Sequence, residues 1–115
     1  MDMRIVSAPV SREDLRKIAE NQFIDLVKAV VDVSRKVMAI GGELHADEET
    51  LLLDEGSRQE DLWGINLHPV LEGDEFIAFD SMINLRPSQG NRSRGVEDPE
   101  IRKKIVAIVG DLVHP

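Results

Sequence analysis

The chain has 115 residues, no cysteine, a formal net charge of −8 and an aromatic share of only 3%. That length suits one domain able to bury an aliphatic core without staples, and the missing cysteine removes disulfides, thiol nucleophiles and thiolate metal ligands. The acidic balance and the scarcity of rings tell against a nucleic-acid platform or an anionic membrane surface as partner.

Taken in chain order, residues 3–6 read as a short strand that Ala8-Pro9 ends. Ser11 is placed as a helix N-cap with Glu13 and Asp14 behind it, and Leu15, Ile18 and Ala19 recur at helical spacing, so 12–22 is expected to be a helix. Residues 26–33 and 36–42 read as a strand pair, with Val27, Ala29, Val31 and Val33 alternating against Lys28, Val30 and Asp32. Asp47 is expected to cap a short helix over 47–55, stopped by Gly56.

Residues 61–68 and 75–86 form the next expected hairpin. Placing 63 opposite 81, 65 opposite 79 and 67 opposite 77 brings Trp63, Ile65 and Leu67 to the same side as Ile77, Phe79, Ile83 and Leu85, which is the agreement a correct register shows. Trp63 is then a core residue rather than a ligand stack. Asp98, Pro99 and Glu100 open a last helix with Ile101, Ile105, Ile108 and Leu112 as its apolar stripe. The expected order is β-α-β-β-α-β-β-α. The class is α+β: a single domain over 1–115, with a mainly antiparallel sheet of four to five strands and three helices gathered on one face. No apolar run approaches a membrane span and no secretory leader is evident, so a soluble, cytoplasmic protein is expected.

The segment beginning at Asp80, Asp-Ser-Met-Ile-Asn-Leu-Arg-Pro-Ser-Gln-Gly-Asn-Arg-Ser-Arg-Gly, points to function. Residues 37–85 hold twelve carboxylates and a single cation, Arg58; Arg86, Arg92 and Arg94 then follow within nine residues. Guanidinium groups make paired hydrogen bonds to oxyanions. A phosphate- or carboxylate-bearing ligand could therefore be held by Arg86, Arg92 and Arg94. Asn84, Ser88, Asn91 and Ser93 would complete the shell and Asp80 would lie beside it. The dipole of the last helix is not available, because Glu97, Asp98 and Glu100 already occupy its positive end. The competing reading pairs the arginines with the chain's own acids, Asp80 or those of 43–61.

Other constellations are weaker. His45 among Glu43, Asp47, Glu48 and Glu49 matches no zinc spacing and reads as an acid-rich helix start, so no metal and no cofactor are expected. His68, Asp80 and Arg86 share a strand face, but strand geometry sets His68 ~13 Å and Arg86 ~20 Å from Asp80, which excludes a triad. No phosphate loop, dinucleotide fingerprint, nucleophile elbow or metalloprotease motif occurs. Three functions stay open: an anion- or partner-binding module on the 86–95 loop; a small phosphodiester-cleaving, ribonuclease-like enzyme in which Asp80 or His68 moves a proton; and a homodimer that sets the basic loop against the acidic region of a neighbour.

Three stretches carry a resemblance. They are Met-Ala-Ile-Gly-Gly-Glu-Leu-His-Ala-Asp from Met38, Gly-Ser-Arg-Gln-Glu-Asp-Leu-Trp-Gly-Ile-Asn-Leu from Gly56, and the long run from Met82 to Arg102. With these the chain resembles a family of short uncharacterised prokaryotic proteins labelled as a domain of unknown function. The resemblance implies a free-standing cytoplasmic protein and assigns no activity to any residue.

Overall fold

The computed structural model describes residues 3–115. The strands are β1 (Arg4–Val6), β2 (Val10–Ser11), β3 (Val27–Asp32), β4 (Val37–Ile40), β5 (Leu62–Leu67), β6 (Ile77–Ala78) and β7 (Val113–His114). The helices are α1 (Arg12–Gln22), α2 (His45–Asp54) and α3 (Pro99–Leu112). Five strands form an antiparallel sheet in the order β1-β4-β3-β5-β6, and β2 pairs in parallel with β7 as a separate clasp. The α+β class and the main element order agree with the expectation; the two-residue clasp strands lay below the resolution of a periodicity argument.

Local chemistry accounts for most boundaries. Ser11 caps α1 through a reciprocal box: its Oγ accepts from Asp14 N–H at 3.0 Å, and Asp14 Oδ2 accepts from Ser11 N–H at 3.3 Å. The β3–β4 turn is built on Asp32, whose Oδ1 accepts from the amides of Ser34 and Arg35, both at 2.9 Å, while its Oδ2 accepts from Ser57 Oγ at 2.6 Å. Asp98 caps α3 by accepting from Glu100 N–H at 2.8 Å, with Pro99 in the first turn.

One expectation is corrected by the layering. The helices do not share a face. Leu15 and Ala19 of α1 and Ile105, Ile108, Val109 and Leu112 of α3 pack on Val27, Ala29, Val31, Met38, Ile40, Trp63, Ile65 and Leu67. Leu52 of α2 packs on the opposite side, against Val30, Ala39 and Leu62. The physical reason is that β3 and β4 carry apolar residues at both parities, so both faces of the sheet need cover.

The start of α2 also differs. Its N-cap is Leu44, with no side-chain hydrogen bond, rather than Asp47. Glu48 compensates. Its carboxyl is fully buried, and Oε2 accepts from Gly42 N–H at 3.0 Å. A Cβ at position 42 would stand 2.7 Å from Glu48 Cγ, so only glycine leaves room there. Burial pushes the Glu48 carboxyl up to about 9, so it is a neutral acid at physiological pH.

Because the folded protein keeps this proton far above the ordinary value of 4.5, the unfolded chain binds fewer protons between that value and about 9, and stability falls as pH rises through that window. Glu48→Gln removes the titration while keeping an acceptor for Gly42. Thermal unfolding is expected to show the variant gaining on the parent as pH is raised from 5 to 9; parallel pH profiles would contradict this.

Candidate functional site

The second hairpin has the expected register but not the expected length. Leu67 faces Ile77 and Asn66 faces Ala78, and there the backbone pairing of β6 ends. From Asp80 the chain leaves the sheet, and short 3-10 turns form at Met82–Asn84 and Pro87–Gln89. Side chains continue the sheet edge where the strand stops. Asn84 Oδ1 accepts from Gly64 N–H at 2.8 Å, and its Nδ2 donates to Gly64 O and Arg94 O, both at 2.9 Å. Arg86 donates from its guanidinium to Leu62 O at 2.6 Å and to Gln59 O, and it stacks on the Trp63 ring at 4.2 Å. Gly64 is needed because Ser81 Cβ and Oγ lie 2.5 Å from where a Cβ would stand.

A second asparagine closes the loop. Asn91 Nδ2 donates to the carbonyls of Asn84 at 2.7 Å, Ser93 at 3.1 Å and Gly95 at 2.8 Å, and its Oδ1 accepts from Glu97 N–H at 2.9 Å. Both asparagines are buried. Of the residues picked from the sequence, Asn84 and Asn91 thus spend their polar atoms within the chain, as do the terminal guanidinium nitrogens of Arg86, whose Nε is buried without a partner among the described residues. Burial lowers the Arg86 guanidinium below its ordinary value, opposed by the charge of Glu49. Ser93 Oγ accepts from Gly95 N–H at 3.2 Å, and Ser88 is exposed. Arg92 is exposed, and among the described residues its recorded hydrogen bond is from the backbone N–H to Glu97 Oε2 at 2.8 Å.

Asp80 and Arg94 behave differently. Arg94 Nε donates to Asp80 Oδ1 at 2.8 Å in a half-exposed ion pair. This pair stands at a cavity of about 280 Å³ whose wall also includes Lys28, His45, Asn66 and Ser81, with Leu44, Met82 and Ile83 as apolar lining. Lys28 and Asn66 are cross-strand partners on β3 and β5, on the face turned toward α2, and His45 is the first residue of α2. Asn66 Nδ2 donates to Asp80 O at 3.1 Å, which ties the 80–83 turn to the sheet. Asn66 Oδ1 is buried and makes no well-formed hydrogen bond among the described residues, although the Asn66 side chain stands close enough to the His45 ring to favour its protonated form.

The electrostatics of this cavity oppose those of the molecule. Its wall carries two cations, Lys28 and Arg94, against one carboxylate, Asp80. The Lys28 ammonium stands 4.9 Å from the Phe23 ring centroid, and among the described residues no ion pair involves it. His45 Nε2 lies 2.8 Å from Ile65 O, so that nitrogen carries the proton and Nδ1 keeps its lone pair. Burial holds the His45 imidazole below the ordinary histidine value of 6.5, so it is neutral at pH 7. Among the described residues, no three His, Asp or Glu side chains gather to hold a metal ion, and no helix is long and apolar enough to cross a membrane.

A family model described as a protein of unknown function (DUF5674) matches residues 4–112. The chain belongs to this family. No match was found among curated proteins or among solved structures. The DUF5674 assignment names no reaction, so the chemistry rests on the residues alone.

Lys28, His45 and Asn66 were not assembled from the sequence. Lys28 read as the solvent side of a strand and His45 as part of an acidic helix start. The available signal was a lysine and an asparagine set among the apolar residues of two strands, where a polar side chain needs a reason to stay.

Asn84→Ala should destabilise the fold by about 3 kcal/mol, because it leaves the Gly64 N–H and C=O buried without partners. Urea unfolding would check this, and a loss below about 0.5 kcal/mol would mean that water replaces the carboxamide.

Proposed function

We propose that the protein is a binding module for a small anionic ligand, a phosphate ester or carboxylate, seated in the cavity between the start of α2 and the 80–83 turn. The observation that carries this reading is the convergence of Lys28 and Arg94, from a strand and a distant loop, on one cavity of a chain with net charge −8. The volume suits a phosphate-sized group with a small attached fragment. Lys28 and Arg94 supply charge, Asp80 orients Arg94, and Asn66 Oδ1, beside the His45 ring, receives a hydroxyl or amide proton from the ligand. Asn84, Arg86 and Asn91 hold the loop in shape. A cytoplasmic setting, where phosphorylated metabolites abound, belongs to the same proposal.

Calorimetric titration with inorganic phosphate and a nucleoside monophosphate tests it. Lys28→Met and Arg94→Ala should each weaken binding roughly tenfold to a hundredfold, the range for a lost charge-assisted hydrogen bond. Affinity should rise as pH falls below 6.5, because a bound anion favours the protonated His45, and His45→Gln should flatten that rise. No heat and no thermal shift at millimolar anion would end the proposal.

One observation favours a catalytic version. The neutral His45, with Nε2 held by Ile65 O and Nδ1 unprotonated, lines the wall with two cations, an arrangement able to take the proton of a ribose 2′-hydroxyl as that oxygen bonds to phosphorus and the 5′-oxygen leaves, protonated by water. Incubation with single-stranded RNA decides it: cleavage abolished by His45→Gln supports the enzyme, and intact RNA across pH 5–8 removes it.

A further inference from the structure

The sheet ends at β6, and its outer edge borders a second concavity. His68 N–H donates to Phe76 O at 2.8 Å, and the next pairs along the ladder are Leu67–Ile77 and Asn66–Ala78. Bonded and non-bonded pairs alternate in an antiparallel ladder, so 68–76 and 66–78 are the bonded ones. The N–H and C=O of Ile77 therefore point away from β5, toward the free edge. β6 is short, two residues, which limits the exposed edge, but it carries no proline, no charge and no bulge to block an added strand.

Beside that edge runs a groove of about 570 Å³ between β6 and α3. Its apolar lining comes from Ile77, Phe79, Val106 and Ala107; its α3 bank carries two cations, Arg102 and Lys103, against one carboxylate, Asp74, elsewhere on the wall. Val106 is 51% exposed, an apolar side chain set amid the charged surface of α3. Arg102 is already oriented by stacking on the Phe79 ring at 4.4 Å, and Lys103 is held only by a 3.5 Å contact to Glu100 between two exposed side chains.

We propose that this groove docks an extended segment of a partner protein whose apolar residues alternate with carboxylates, and that the segment adds to β6 as a sixth strand. The period of two in a strand sends alternate side chains down onto Ile77, Phe79 and Val106. The backbone of the segment bonds to Ile77, and its carboxylates meet Arg102 and Lys103. A second copy of this chain fits poorly, because groove-to-groove pairing about a twofold axis sets two net-cationic walls, each with Arg102 and Lys103 against Asp74 alone, against each other.

A short capped peptide alternating valine with glutamate, and a control with lysine in place of glutamate, test the proposal on the full chain. The glutamate peptide is expected to bind in calorimetry and to slow amide hydrogen exchange at Ile77. Lys103→Glu, at an exposed helix position, should weaken it roughly tenfold by turning attraction into repulsion, and Val106→Asp should weaken it further. Arg94→Ala should leave it unchanged, which separates this surface from the anion cavity. Three results would overturn the proposal: no protection of Ile77 at millimolar peptide, equal binding of the lysine control, or protection of Ile77 by concentration-dependent self-association without peptide.

Discussion

The carboxamide of Asn84 on the backbone of Gly64 is the contact on which the rest of this half of the molecule depends. A central strand such as β5 must satisfy amides on both edges, and β6 covers only part of one. Where backbone pairing stops, Asn84 presents an acceptor and a donor in the spacing of a peptide group, and Arg86 then takes the Leu62 carbonyl. A run of amino acids thus finishes a sheet without being a strand. The gain is that the main chain is freed to turn outward, which places Asp80, Ser81 and Arg94 over the face where Lys28 and Asn66 stand.

This accounts for why polar residues in the loop divide into two groups. The buried Asn84 and Asn91 have their hydrogen-bonding atoms turned inward onto carbonyls and amides, where each unmet bond is costly, and the half-buried Arg86 donates from its terminal nitrogens to carbonyls. Arg92, Arg94 and Asp80 stay exposed enough to exchange partners with solvent or a ligand. Rigid backing by the first group positions the second, the usual requirement for a site built on a loop.

Much of the fold was legible because its signals are local. Ser11 with Asp14, Asp98 with Pro99, and the alternation through Val27–Asp32 report caps and faces within a few residues. The register of Leu67 against Ile77 followed from matching apolar faces. Three things were not legible. The apolar residues of both parities in Val37–Ile40 did not announce that α2 lies across the sheet from α1 and α3. The alternation of residues 75–86 imitates a strand, but Asn84 competes with the backbone for the same partners and wins. The cavity draws on residues separated by most of the chain, and the β3–β5 pairing that sets Lys28 beside Asn66 has no signature in either strand alone.

The clasp of Val10–Ser11 against Val113–His114 joins two segments at nearly opposite ends of the described chain. Loop-closure entropy grows with the length enclosed, so this pairing is the most expensive to form first and the cheapest to form last, once α1 and α3 have packed into their common core on the sheet. Its four residues therefore act as a completion seal: their amide protection during refolding would report the moment at which every intervening layer has assembled.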